Sequence, residues 1–532
     1  MPNIHLLAVL KTGCLMAGLW LTSCQKPTAP RSALLEHTPK LWNSEVPLAT
    51  VARECSLQYA VSRTNPQPMG MTESDGTPNL SNPKMTIALW GPPDQLTLSI
   101  NKNDVWDRRM GHDTTVTLAE MKAGYFSPVN ADNSDPLGFT TSFYPTPEGN
   151  WVDPYASWRV YPFPCIKPVG QVAILADDFK AADQPTATTR MHNGLTEVNL
   201  AQGTAQGKLN YLVMMEQNVI AIRGDFKNLD QDLKLRFSRH RDTYDPANLP
   251  MLKNKHYRGY DVTADSAWNQ RLDPPESGRE GKFFWIKQKM PAEKTYLEGF
   301  EYLLVGLIDG EEYSIETVEG AKGVSTLPQS SGSLSKYVRD STGAAAIATF
   351  PKQRGHQFTA YITVVTTNDA QNLLAEAKKR LLSAQKAGFA GLTTQNEAWY
   401  TSLYNQREKG RIFTGNSEDV KAVMPGNYYS WMYDHSLTSP DPTRYEAQAK
   451  GYSLLELDAA PWHALPCYNE LFMSTPLAVA NRTDLLNYYV KLIGMWHETA
   501  RKNAWEVFDL PGLYVGHGYL PPSKPIPTPI RI

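Results

Sequence analysis

Cysteine is scarce in this chain, with five in 532 residues. Cys55, Cys165 and Cys467 stand far apart in the sequence, a spacing that builds neither a disulfide framework nor a zinc site, and no bridge is expected. Net charge is equally low: 52 basic against 54 acidic residues leave −2. That balance provides no field to draw nucleic acid or an anionic lipid surface, so nucleic acid is not expected as a partner. After residue 23 nothing approaches the roughly eighteen consecutive apolar residues of a membrane-spanning helix, and the body of the protein is expected to be soluble. Gly-x-Ser-x-Gly, His-Glu-x-x-His and Walker patterns are all missing, which removes the footing for the chemistries they carry. No metal and no other cofactor is expected, and no solenoid-type repeat is found.

Aromatic residues, by contrast, are plentiful, with 13 Trp and 26 Tyr, a mixture that suits stacking surfaces or β-sheet cores. The length exceeds one simple domain of about 150 residues. Residues 4–23 form an apolar segment of the secretory-signal kind, too short and too early for a working membrane anchor. Its end, Leu21-Thr22-Ser23-Cys24, resembles a bacterial lipobox, which implies lipidation of Cys24, a signal peptide over 1–24 and a tether over 25–49. The implied location is the bacterial cell envelope, lipid-anchored to the outer membrane, with the N-terminal lipid as the only membrane contact.

From 50 to 366 the periodicity is that of strands. Short apolar or alternating runs occur at 85–90, 96–100, 171–176, 209–214, 219–222, 233–237, 283–287, 302–307, 344–350 and 356–366, with turn residues between them. This pattern predicts one large antiparallel β-sandwich. The period changes at Thr367. Leu374, Ala377, Leu381 and Ala384 share a helical face that Asn368 or Asp369 would cap and Gly388 would end. A second helix is predicted from Thr394, with Glu397 completing a capping box, to about Arg407. These two helices, over 367–414, read as a linker whose Trp399, Tyr400 and Tyr404 pack on the sandwich. The remainder, 415–532, reads as helical. Thr483 or Asp484 would cap a helix with Leu485, Tyr489, Leu492, Trp496 and Ala500 on one face, and Pro-rich sequence follows Gly512.

Chemistry concentrates at 456–476. Here Glu456 and Asp458, the Trp462-His463 pair and the Asn469-Glu470 pair fall together. Polar groups beside indole and phenol rings match a sugar, which offers hydroxyls at its edges and C–H patches on its faces. The residues alone are equally consistent with a loop followed by a core helix. His240 and Asp242, in Ser-Arg-His-Arg-Asp, are read as sheet-end residues, at the surface or in inter-domain pairing.

Three segments carry a resemblance. Residues 98–107, Leu-Ser-Ile-Asn-Lys-Asn-Asp-Val-Trp-Asp, look like an early strand running into an Asn-rich loop. Residues 387–392, Ala-Gly-Phe-Ala-Gly-Leu, look like a linker, and 467–476, Cys-Tyr-Asn-Glu-Leu-Phe-Met-Ser-Thr-Pro, look like a catalytic segment. In this order the chain resembles glycoside hydrolase family 95, the fucosidase-type branch of the six-hairpin glycosidases. The resemblance implies a multidomain β + α protein: sandwich, helical linker, and the start of an (α/α)6 barrel that is incomplete in this chain. It also implies inverting, exo-acting removal of a side-chain sugar from an oligo- or polysaccharide. Asn469 falls on the second catalytic asparagine, which holds the attacking water. The first falls on Cys467, whose thiol is not an equivalent acceptor. Trp462, His463 and Glu470 are the implied substrate-binding residues. The family's general acid lies further along than these segments, so the expectation is a truncated or frameshifted reading of a longer gene, broken near 519–524. A non-catalytic glycan-binding surface lipoprotein is the alternative.

Overall fold

The computed structural model describes residues 48–54, 56–63, 79–82, 84–102, 104–107, 144–145, 151–152, 165–241, 256–257, 260–261, 272–292, 296–310, 312–325, 342–352, 355–405 and 497–513. From Ala49 onward these belong to one compact unit. After a short helix α1 (Leu48–Glu54), sixteen strands build two sheets. In chain order they are β1 (Ser56–Ala60), β2 (Asn79–Ser81), β3 (Met85–Trp90), β4 (Gln95–Lys102), β5 (Gly170–Leu175), β6 (Thr186–Arg190), β7 (Thr196–Gln202) and β8 (Ala205–Val213). Then follow β9 (Ile220–Lys227), β10 (Leu233–His240), β11 (Glu276–Glu280), β12 (Phe283–Met290), β13 (Phe300–Gly310), β14 (Ser314–Lys322), β15 (Thr342–Phe350) and β16 (Gly355–Thr366). Three two-stranded ribbons of two-residue strands complete the β-structure described.

The larger sheet has nine strands in the order β1-β6-β7-β8-β9-β16-β13-β12-β11, the smaller seven in the order β2-β3-β4-β5-β10-β15-β14. Every neighbouring pair in both sheets is antiparallel. The sheets face each other through alternate side chains, as the two-residue period of a strand requires. Phe237 of β10 meets Phe284 of β12 edge to face with centroids 4.7 Å apart, and Gly306 leaves room for both rings. At one side the outermost strands of opposite sheets are tied together. Ser277 of β11 donates its N–H to Glu319 Oε1 at 2.8 Å and its hydroxyl to the Val318 carbonyl at 3.2 Å, both on β14. An edge occupied in this way is a poor template for another chain.

All ten apolar runs expected to be strands lie in strands. Runs that lie in the larger sheet beside the helix after it are apolar on both faces, because that part of the sheet is covered twice. In β13, Leu303, Val305 and Leu307 face outward into the cluster formed with α2 (Leu373–Tyr404). Tyr302 and Leu304 face the smaller sheet, where Tyr302 Oη donates to the Val169 and Pro168 carbonyls at 2.8 and 3.0 Å. A strand buried on both faces reads as a continuous hydrophobic run.

The helical segment breaks at Gly388 as expected, where a φ of 68° and ψ of 166° separate two helices within Leu373–Tyr404, and it differs from the expectation in its caps. Its N-cap is Asn372, which accepts from the Ala375 N–H at 3.0 Å. Neither Asn368 nor Asp369 caps it, because both are held in a buried network. The expected capping box at Thr394 and Glu397 does not form either. Thr394 lies inside the helix and donates its hydroxyl to the Ala390 carbonyl at 3.1 Å, while Glu397 pairs with Arg53 of α1 at 2.5 Å. The predicted packing of Tyr400 and Tyr404 holds. Both are buried, and Tyr404 Oη donates to the Met191 carbonyl at 2.6 Å. Asn396 pins the same stretch, accepting from the Met215 N–H at 3.0 Å and donating to the Val213 and Asn193 carbonyls at 2.9 and 3.2 Å.

Near the end, α3 (His497–Phe508) buries Ala500 and Ala504 and exposes Trp505. Of the helix expected from Thr483 or Asp484, the described part begins at His497. Among the described residues no helix is long and apolar enough to cross a membrane.

Candidate functional site

The residues assigned to chemistry from the sequence, Asn469, Trp462, His463 and Glu470, together with Cys24 and Asp242, lie outside the described residues. What is described of the three resembling segments is 98–107, apart from Asn103, and 387–392. The first of these organises a site.

Strand alternation sends Leu96, Leu98, Ile100 and Lys102 to the inner face of β4, and Thr97, Ser99 and Asn101 to the outer face. A lysine in phase with three buried aliphatic residues must find counter-charges, because burying an unpaired ammonium is prohibitive. Lys102, 1% exposed, finds two carboxylates. Its Nζ lies 2.5 Å from Asp104 Oδ1 and 3.3 Å from Asp369 Oδ2, and donates to Thr366 Oγ1 at 3.3 Å. Asp104 Oδ2 accepts from Thr366 Oγ1 at 2.6 Å and from Asn368 Nδ2 at 3.1 Å, and Asn368 Oδ1 accepts from Tyr296 Oη at 2.8 Å. Asp369 accepts from the Thr366 N–H at 3.0 Å and lies 3.6 Å from Arg380 of α2, which also bonds Glu376 at 2.8 Å.

The network joins three parts: the Asn-rich loop after β4, the end of β16, and the first turns of α2. Each buried carboxylate faces a cation and further hydrogen-bond donors, the condition for a buried ion pair to be tolerated. Burial pushes Asp369 up, but Lys102, Arg380 and the Thr366 N–H outweigh it and bring the carboxyl down to about 2. Asp369 is therefore ionised at neutral pH and has no proton to give. Both Asp104 oxygens are likewise occupied by donors. The cluster acts as a clamp on the loop rather than as an acid–base pair. Because the Asp369 value is lowered in the fold, its contribution is complete above the unfolded value near 3.9 and is lost as pH falls toward 2. Wild type is expected to exceed Asp369→Asn by on the order of 2 kcal/mol at pH 7, with the gap closing below pH 3. Urea titrations of both proteins at a series of pH values measure it.

His240, read from sequence as a surface or inter-domain residue, is buried at the end of β10. The strand end is enclosed on both faces. On the inner one Arg239 is fully buried, donating from Nε to Tyr302 Oη at 3.3 Å and from a terminal nitrogen to the His240 carbonyl. Lys102, Asp104, Thr366 and Arg380 were not anticipated. The signal was present for Lys102 alone, a charge at an inward position of a strand, and nothing local pointed to its partners. Among the described residues no group of three or more His, Cys, Asp or Glu side chains is arranged to hold a metal ion.

No family model and no curated protein matches the chain. Among solved structures it is similar to a protein assigned as a kojibiose phosphorylase from the human microbiome, with a TM-score of 0.39 and 11% identity over 74% of this chain and 43% of that one. A bacterial glucoamylase solved with acarbose gives a TM-score of 0.37 and 8% identity over 85% of this chain and 54% of that one. A family GH92 alpha-mannosidase from Bacteroides thetaiotaomicron gives 0.19 and 8%, over 46% and 26%. This chain thus spans about half of the first two proteins. At these scores and identities the likeness assigns neither a family nor an activity.

Proposed function

We propose that the chain is the sandwich-bearing part of a glycoside hydrolase, fucosidase- or galactosidase-like, that removes a side-chain sugar from a glycan with inversion. The observation that carries the reading is the order and coupling of parts. A two-sheet sandwich runs directly into a kinked helix docked on its outer face, and the early Asn-rich loop is clamped to that junction. A sandwich that holds a loop rigidly beside the start of α2 supplies the orientation that hydrolysis of a single terminal sugar needs.

The chemistry follows from the resemblance. A carboxylic acid protonates the leaving oxygen while water attacks the anomeric carbon from the other side and passes its proton to the carboxylate that, by the resemblance, backs the catalytic asparagines. Asn469 holds that water through its amide carbonyl, Trp462 stacks on the sugar face, and His463 and Glu470 bond its hydroxyls. Turnover of aryl glycosides by the full-length gene product tests the reading, and Asn469→Ala is expected to lower it by about 10²–10⁴-fold. Sugar binding with no turnover in the wild type would favour a non-catalytic glycan-binding lipoprotein, the reading that Cys467 at the first asparagine position suggests. Lipid anchoring through Cys24 in the cell envelope belongs to the same proposal. The protein is expected in the detergent phase of a cell extract, and Cys24→Ser in the aqueous phase.

A further inference from the structure

The outer face of the smaller sheet carries a polar patch that the ion network does not use. Strand pairing sets Ser99 opposite Gln171 and Gln171 opposite Ser238. Asn101 and His240 share this face two residues further along β4 and β10. All five side chains are buried, although the outer face of a sandwich is ordinarily where polar side chains meet water. Ser99 Oγ accepts from Trp90 Nε1 at 2.7 Å, and Ser238 Oγ accepts from Ser325 Oγ at 3.0 Å. Asn101 is different. It is 1% exposed, and neither its Oδ1 nor its Nδ2 has a hydrogen-bond partner among the described residues.

A buried amide left unmet destabilises the fold, so its presence calls for a compensating use. This amide is also held still. The next residue, Lys102, is locked on the opposite face by Asp104 and Asp369, and Asn101 itself pairs with Thr86 of β3, one position beyond the end of the pairing with β5 at Ile100. A rigid amide offers a donating NH2 group and an accepting oxygen in a single plane, which matches adjacent hydroxyls of a sugar ring. We propose that Asn101 is a ligand-contacting residue that recognises a hydroxyl-bearing ligand of the monosaccharide class. The assignment rests on the glycan reading given above.

Binding and stability together test it, because a structural amide and a ligand-binding amide move them differently. L-fucose, D-galactose, D-mannose and D-glucose are titrated calorimetrically into the full-length wild type and Asn101→Ala, and the melting temperature of each protein is recorded without sugar. Removing an unmet amide is expected to leave the melting temperature unchanged or higher, while weakening binding of the recognised sugar about tenfold or more. A melting temperature lowered by several degrees, or sugar affinity unchanged in Asn101→Ala, overturns the assignment and leaves the glycan reading standing. A wild type that binds none of the four sugars and turns over no aryl glycoside overturns the glycan reading, and the sugar assignment with it.

Discussion

Lys102→Met is expected to lower the unfolding free energy by about 3–5 kcal/mol, the range found when one partner of a buried ion pair is removed. The hydrophobic stem is nearly conserved, so lost packing contributes little. The loss is electrostatic: Asp104 and Asp369, both buried, are left without the cation they share. Arg380 remains 3.6 Å from Asp369, but no cation replaces Lys102 beside Asp104 among the described residues. Urea unfolding at pH 7 measures the change. Two further features identify the mechanism. The deficit is expected to shrink in acid, where protonated carboxylates no longer repel, and Asp104→Asn added to Lys102→Met is expected to recover part of the loss. A destabilisation below about 1 kcal/mol would mean that the pair is solvated and does not clamp the loop.

Leu381→Ala is expected to cost about 2–5 kcal/mol, whereas Leu382→Ala next to it is expected to stay within about 0.5 kcal/mol. Leu381 is fully buried in the cluster that α2 forms with Leu303, Val305, Leu307 and Tyr361, and Leu382 is 45% exposed. The contrast follows from helical geometry, since neighbours on a helix point about 100° apart. Trp399, in contact with Tyr400 at a centroid distance of 5.1 Å, reports on the same helix. The difference in fluorescence on denaturation between wild type and Trp399→Phe, which isolates this indole among the 13 tryptophans, therefore shows whether α2 leaves the sheet before the sandwich unfolds. Equal losses for the two substitutions would contradict the docking of α2 through this face.

The strands found from sequence and those overlooked differ in one physical respect. Each of the ten expected runs carries an apolar face of its own, alternating with polar residues as in β10 or joined by a second apolar face beneath α2. Thr186–Arg190, Thr196–Gln202, Glu276–Glu280 and Ser314–Lys322 were not expected. They are rich in Thr, Glu, Gln or Ser, and β14, at a sheet edge, is largely exposed. Such strands are held by their neighbours' backbone groups rather than by an apolar pattern of their own. Of the candidate site, Asn469 is proposed through a family resemblance and Trp462, His463 and Glu470 from a polar and aromatic cluster that is by itself equally compatible with an ordinary loop; all four lie outside the described residues.

Local chemistry was sufficient for the ten apolar strand runs, the helical face of Leu374, Ala377, Leu381 and Ala384, and the break at Gly388, because each depends on residues a few positions apart. The clamp around Lys102 was decided by tertiary structure. Thr366, Asn368 and Asp369 belong to a part of the chain remote from Lys102 in sequence, and their selection turned on charge. Asp369 resembled a helix cap when read beside its neighbours. In the fold, a buried lysine requires a carboxylate more strongly than a helix end requires a cap, and Asn372 takes the cap instead.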